Sequence, residues 1–207
     1  MKKALRFIIV FVVILAVAWW WFTRPPPLGE VDFSGPTADW PAYGGNPGGE
    51  KHSSLTQITP QNVFHLENVW TYHTGDVSDG STREKPEKSA FEATPILVDD
   101  TLYFCTPFNR VIALDPASGQ ELWTYDPKID LSRSYSNQLT CRGVSSWHDE
   151  QAVTRCKHRI FTTTNDSRLI ALDGATGKTC EDFGENGQIQ LARPEDVGET
   201  AWPGEYQ

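Results

Sequence analysis

The sequence predicts an all-β chain, a partial β-propeller of about three blades, behind one N-terminal transmembrane helix. Three observations carry the prediction. Residues 101–123, "TLYFCTPFNRVIALDPASGQELW", superpose without a gap on residues 159–181, "RIFTTTNDSRLIALDGATGKTCE", at an offset of 58 residues with eight identities. Each copy reads strand, tight turn, strand, "ALD-x-A-[ST]-G", strand, and strand-built repeats of this period point to propeller blades. The composition agrees, with sixteen Gly, fourteen Pro and eight Trp in 207 residues, which suits turn-rich β structure better than helices.

From the N-terminus, residues 1–24 read as a membrane anchor. Lys2, Lys3 and Arg6 precede an apolar run from Phe7 to Phe22, sixteen residues long. A spanning helix needs roughly 17–25, and including Ala4 and Leu5 with Arg6 snorkelling makes a span feasible. A cleaved signal peptide is the alternative, since Ala16-Val17-Ala18 fits a small-residue cleavage pattern. The tryptophans at 19–21 favour the anchor, because aromatic residues collect at the membrane interface. The basic start keeps the N-terminus cytoplasmic, so the expectation is a single-pass inner-membrane protein with its body in the periplasm. Arg24 and Pro25–Pro27 stop the helix, and 25–38 form a stiff Pro-rich spacer.

Residues 39–207 are the expected propeller portion. A Gly-rich loop from Asp39 leads to a helical turn at "TPQN" and a strand at "ENVWTYHTG", then to a polar loop over 77–90. In the repeats, Asp115 and Asp173 cap the turn and Gly119 and Gly177 supply its positive φ. Propellers have about 4–8 blades, whereas this length holds roughly three, so the expectation is the N-terminal piece of a longer protein. Open blade edges would otherwise be an aggregation hazard.

The formal net charge of −9 argues against a nucleic-acid partner, which would need clustered Lys and Arg. Export makes the cysteines at 105, 141, 156 and 180 disulfide candidates. Their spacings contain no C-x-x-C pair for zinc, and the expected bridge is Cys141–Cys156, closing a polar loop. No G-x-S-x-G, H-E-x-x-H, P-loop or G-x-G-x-x-G is present.

Three stretches carry a family likeness: "WTYHTGD", the turn "ALD-x-x-[ST]-G-x-x-x-W" complete at 113–123, and "TCRGVSSW". Together they resemble the pyrroloquinoline quinone (PQQ) dehydrogenases, most of all the membrane-anchored glucose/quinate type. The resemblance runs from about Asp39 to Gln190. It implies an eight-bladed propeller with PQQ on its axis above a calcium or magnesium ion. It implies a sugar or other alcohol as substrate and membrane ubiquinone as electron acceptor.

By the same resemblance, Glu92, Arg142 and Thr163 contact the cofactor from successive blades, with Cys141 close by. Arg142 offers a guanidinium fork to an anionic tricarboxylate, Thr163 a compact donor or acceptor, and Glu92 an acceptor for a ring N–H. Read without the family, Glu92 is a solvated loop carboxylate, Arg142 a partner for one of many acids, and Thr163 a β-former in "TTT". The glucose type has a histidine in the Arg-Gly loop. Here Trp147 stands in its place and His148 follows, so either could take that role. In the second repeat Glu181 replaces Trp123, which alters blade docking there. The family's catalytic aspartate and metal ligands lie on later blades, so this chain supplies part of the cofactor cradle and is expected to be inactive alone. A non-catalytic scaffold like the outer-membrane assembly lipoproteins is the rival; it would need a cysteine straight after the signal segment, and the first here is Cys105.

Overall fold

The computed structural model describes residues 13–16, 19–20, 39–46, 48–135, 138–152 and 155–192. The chain divides into two units, residues 1–35 and 36–207. In the first, 13–16 and 19–20 are helical. The rest of the expected anchor, and the whole of the spacer, lie outside the described residues. Among the described residues, no helix is long and apolar enough to cross a membrane.

The second unit contains two four-stranded antiparallel sheets, each a meander in chain order. The first comprises β1 (Ile96–Val98), β2 (Thr101–Cys105), β3 (Val111–Leu114) and β4 (Glu121–Tyr125). The second comprises β5 (Ser145–His148), β6 (His158–Thr163), β7 (Arg168–Asp173) and β8 (Gln188–Gln190). The described residues thus hold two complete blades rather than three. The strand expected over 67–75 forms no ladder among them, and the helical turn at 59–62 leads into a short 3-10 helix, Val63–His65.

Alternation of apolar side chains along β1–β3 gives the first sheet two apolar faces. On one, Ile96, Val98, Tyr103, Val111 and Ala113 pack against Val144, Ile160, Ile170 and Leu172 of the second sheet. On the other, Phe104, Ile112 and Leu114 are covered by Trp70 and Tyr72. Burying such side chains is worth about 1.5–3 kcal/mol each, so blade-on-blade packing is the main stabilising term.

That packing is keyed by one repeated contact. The Trp123 indole N–H donates to the Gly174 carbonyl at 2.9 Å, and the Trp70 indole donates to the Pro116 carbonyl at 3.0 Å. Pro116 and Gly174 are equivalent in the repeat. Below them, the Arg168 guanidinium donates to the Pro127 carbonyl at 2.8 Å, and Arg110 donates to the Thr74 carbonyl. Thr74 and Pro127 each lie four residues beyond their tryptophan. Residues 67–75 therefore occupy the place of a blade's outer strand against the first sheet, as β4 does against the second.

The turn that receives each tryptophan is built as the sequence predicts. Asp115 Oδ1 accepts from the Ser118 N–H and hydroxyl at 2.7 and 2.8 Å. Asp173 Oδ1 accepts from the Thr176 N–H and hydroxyl at 3.0 and 2.7 Å, and its Oδ2 accepts from the Cys156 N–H at 2.6 Å. Gly177 has φ +68°, and a Cβ there would lie 2.5 Å from the Trp123 ring.

The cysteines depart from expectation. They pair as Cys105–Cys141 and Cys156–Cys180, not Cys141–Cys156. Cys141 precedes β5 and Cys156 precedes β6, so the β5–β6 hairpin places them at opposite ends. Cys105, at the end of β2, lies beside Cys141 with a Cα–Cα distance of 5.9 Å, within bridging range.

Two expectations follow. Gly177→Ala combines a left-handed backbone with a clash against Trp123 and should destabilise by about 2–4 kcal/mol. Gly75→Ala shares the positive φ (+73°), but a Cβ there meets nothing within 4 Å; it should cost about 1–2 kcal/mol. Urea unfolding compares the two, and equal costs would refute the docking argument. The second expectation concerns acid. Burial raises the Asp173 carboxyl, but its bonds from Thr176 and Cys156 outweigh this and hold it below the usual carboxylate range. A depressed folded value stabilises fully above the unfolded value of about 3.9 and ceases to do so as pH falls through the folded one. Asp173→Asn should thus be less stable than the parent at neutral pH, with the gap closing in acid; thermal unfolding at both pH values would show a constant gap if this is wrong.

Candidate functional site

Each blade's first strand is preceded by a connection that crosses the same end of the sheets. Two such connections, residues 88–94 and 139–143, run side by side. Leu139 N–H donates to the Lys88 carbonyl at 2.7 Å, Ala90 N–H to Leu139 at 2.9 Å, and Thr94 N–H to Arg142 at 3.0 Å. Parallel bridges join Ser89 to Leu139 and Thr94 to Gly143. This lacing brings Glu92 and Arg142 together although fifty residues separate them.

The Arg142 Nε lies 3.8 Å from a Glu92 carboxylate oxygen. That exceeds hydrogen-bonding distance, and the guanidinium makes no hydrogen bond within the described residues. Glu92 is oriented instead by the Gln138 amide, which donates to its other oxygen at 3.2 Å. The Arg142 and Glu92 side chains are 69% and 39% exposed. An exposed pair at this distance contributes about 0–1 kcal/mol to stability, so fold stability does not explain the arrangement. An unspent guanidinium fork beside an oriented carboxylate suits a planar ligand carrying both anionic oxygens and an N–H.

Below this pair the connections are tied together. The Cys105–Cys141 disulfide ties the residue before Arg142 to the first blade. Asn109, buried in the β2–β3 turn at φ 60°, donates to the Thr140 carbonyl at 3.2 Å and accepts from the Asn165 N–H at 2.8 Å. One side chain therefore joins the β2–β3 turn, the Arg142 connection and the β6–β7 turn.

Thr163 ends β6, where Ser145 pairs with Phe161. Thr163 lies two residues beyond Phe161, so it sits at the end of the second sheet from which the Arg142 connection enters β5. Two residues on, Asn165 is fully buried with both side-chain amide atoms unpaired among the described residues. Buried polar atoms are seldom left so, which marks an unmet hydrogen-bonding demand beside Thr163.

Of the six residues singled out from sequence, Glu92, Cys141, Arg142 and Thr163 thus gather at one end of the two blades. Trp147 and His148 do not join them. They lie at the far end of β5, opposite Arg159 and His158. Trp147 is 50% exposed and has the Arg159 guanidinium 5.8 Å from its ring centroid, while His148 stacks on His158. A groove of about 600 Å³ lies between residues 70–77 and the face of the first sheet carrying Leu102, Phe104 and Leu114, and it reaches the Glu92 connection at Ser89 and Phe91. Gln138 and Asn109 escaped the sequence reading. The only signal for either was proximity to "TCRG" and to the repeated turn.

Residues 40–207 match the family described as PQQ: glucose/ethanol/alcohol dehydrogenase, β-propeller domain. Over 160 residues the chain is 44% identical to the quinoprotein glucose dehydrogenase of Escherichia coli (strain K12), covering 74% of this chain and 20% of that protein. Over 182 residues it is 37% identical to quinoprotein glucose dehydrogenase A of Acinetobacter calcoaceticus, covering 82% and 22%. The solved quinohemoprotein alcohol dehydrogenase of Comamonas testosteroni aligns with a TM-score of 0.57 and 31% identity, over 78% of this chain and 22% of that one. The chain spans about a fifth of the length of the curated relatives it matches.

Proposed function

Because this chain belongs to the β-propeller family of the PQQ-dependent glucose, ethanol and alcohol dehydrogenases, we propose that it is the N-terminal part of a quinoprotein dehydrogenase acting on a sugar or other polyol. The observation that carries the reading is the Glu92–Arg142 pair, brought together by laced connections and fixed by Gln138 and a disulfide.

The residues present fit the cofactor. Arg142 supplies a planar, permanently charged fork for a carboxylate or quinone oxygen of the tricarboxylate. Glu92, acting only as an acceptor, takes a ring N–H, and Gln138 keeps its carboxylate turned toward that task. Thr163 adds a hydroxyl from the next strand, and the Cys105–Cys141 disulfide holds the Arg142 connection against the first blade. PQQ, when bound, supplies the hydride-accepting chemistry, and the protein's share is binding and orientation. On the family's pattern the aspartate base and the calcium or magnesium ligands lie on blades beyond these two, so these two blades supply part of the cofactor's cradle. Residues 67–75, placed as an outer strand without their own sheet, support membership of a larger ring. The basic start and the apolar run to Phe22 support an inner-membrane anchor with the propeller in the periplasm, and delivery of electrons to ubiquinone.

The test is PQQ binding by the full-length protein, followed through quenching of its tryptophan fluorescence. Arg142→Lys keeps the charge but loses the fork and should weaken binding about tenfold. Arg142→Ala should weaken it about a hundredfold, in line with about 1.5–3 kcal/mol for a hydrogen bond to a charged group. Unchanged affinity in Arg142→Ala would overturn the assignment.

A further inference from the structure

At the opposite end of the two blades lies a second cluster that the cofactor reading does not use. The β1–β2 turn of the first blade carries Asp99, and the β5–β6 hairpin of the second carries His148 and His158. Asp99 Oδ2 is 3.5 Å from His148 Nε2 and 3.8 Å from His158 Nδ1. We propose that Asp99, His148 and His158 bind one zinc ion, clipping the first blade to the second.

The geometry suits that ion. Zinc takes nitrogen and carboxylate ligands at about 2.0–2.1 Å in a tetrahedron, which sets neighbouring ligand atoms about 3.3 Å apart. All three ligand atoms lie within 4.8 Å of one another, and both carboxylate–imidazole separations are near the tetrahedral value. His148 and His158 are directly opposed in the β5–β6 ladder, so their side chains share one face. The rings lie parallel at 4.3 Å. His148, 40% exposed, is the one with room to turn so that both lone pairs converge.

His158 is held for the role. Its Nε2 lies 2.9 Å from the Ser146 hydroxyl, which occupies that nitrogen and leaves Nδ1 facing Asp99. Metal-bound histidines are oriented in this way by a partner on the other ring nitrogen. Residue 174, in front of the ring, is glycine; a Cβ there would lie 2.5 Å from Nδ1. The Asp99 and Asp173 carboxylates near the ring make the surroundings favourable to a cation. Two imidazoles and one carboxylate do not suit calcium or magnesium, which take oxygen ligands. The fourth tetrahedral position is left to water.

The experiment is calorimetric titration of the full-length protein with zinc chloride in excess magnesium, which saturates oxygen-rich sites. One zinc per chain is expected. Asp99→Asn and His148→Ala, both on exposed side chains, should each weaken it at least about tenfold, while His65→Ala should leave it unchanged. Absence of saturable zinc binding under excess magnesium would overturn the proposal. So would equal affinity in Asp99→Asn, His148→Ala and the parent.

Discussion

Everything in the second unit depends on how a tryptophan from one blade seats on the turn of the next. A four-stranded sheet this small has two apolar faces and can bury neither by itself. The indole solves two problems at once. It covers the apolar surface at the blade's outer rim, and its single N–H fixes the turn carbonyl it must meet, so neighbouring sheets stack at a defined offset. The turn is prepared to receive it, with an aspartate closing the loop and a glycine leaving flat space under the ring. Tyr103 adds its hydroxyl to the same Gly174 carbonyl from the inner strands. The contact thus locks the sheets at more than one radius.

Once the sheets are stacked, their connections are forced to run side by side, and the Glu92–Arg142 pair is a by-product of that stacking. This accounts for a carboxylate in an otherwise apolar stretch. Glu92 belongs to the connection before β1, not to the strand, and its backbone neighbours are already committed to the Arg142 connection. A chemical site made in this way needs no long-range side-chain network. The two ends of the blades are also chemically distinct. One presents an open guanidinium and a carboxylate suited to an organic anion, the other two imidazoles and a carboxylate.

Much of the fold was legible because its determinants are local. The offset of 58 residues, the "ALD" turn and the glycine after it encode strand, turn and strand directly, and the structure reproduces them in both blades. The second "WTY", at 123–125, is the same signal as that at 70–72, and pairing the two would have revealed the docking contact. The cysteine pairing was not legible, since the nearest pair in sequence is separated by the length of a hairpin. Trp147 and His148 show the same limit. A loop motif aligned by its arginine continues into a strand, and each further residue moves about 3.3 Å from the site. Glu92 and Arg142 emerged only through family likeness, because no short-range pattern reports that two connections fifty residues apart lie together.

The disulfide pattern bears on biogenesis. The four thiols pair first with second and third with fourth along the chain. In a polypeptide that emerges from its N-terminus, Cys105 meets Cys141 as the next thiol to appear, and Cys156 meets Cys180 in the same way. Oxidation in order of emergence therefore yields the native connectivity. Formed in that order, the first bond ties the end of β2 to the connection that leads into β5, ahead of the second blade's own bridge.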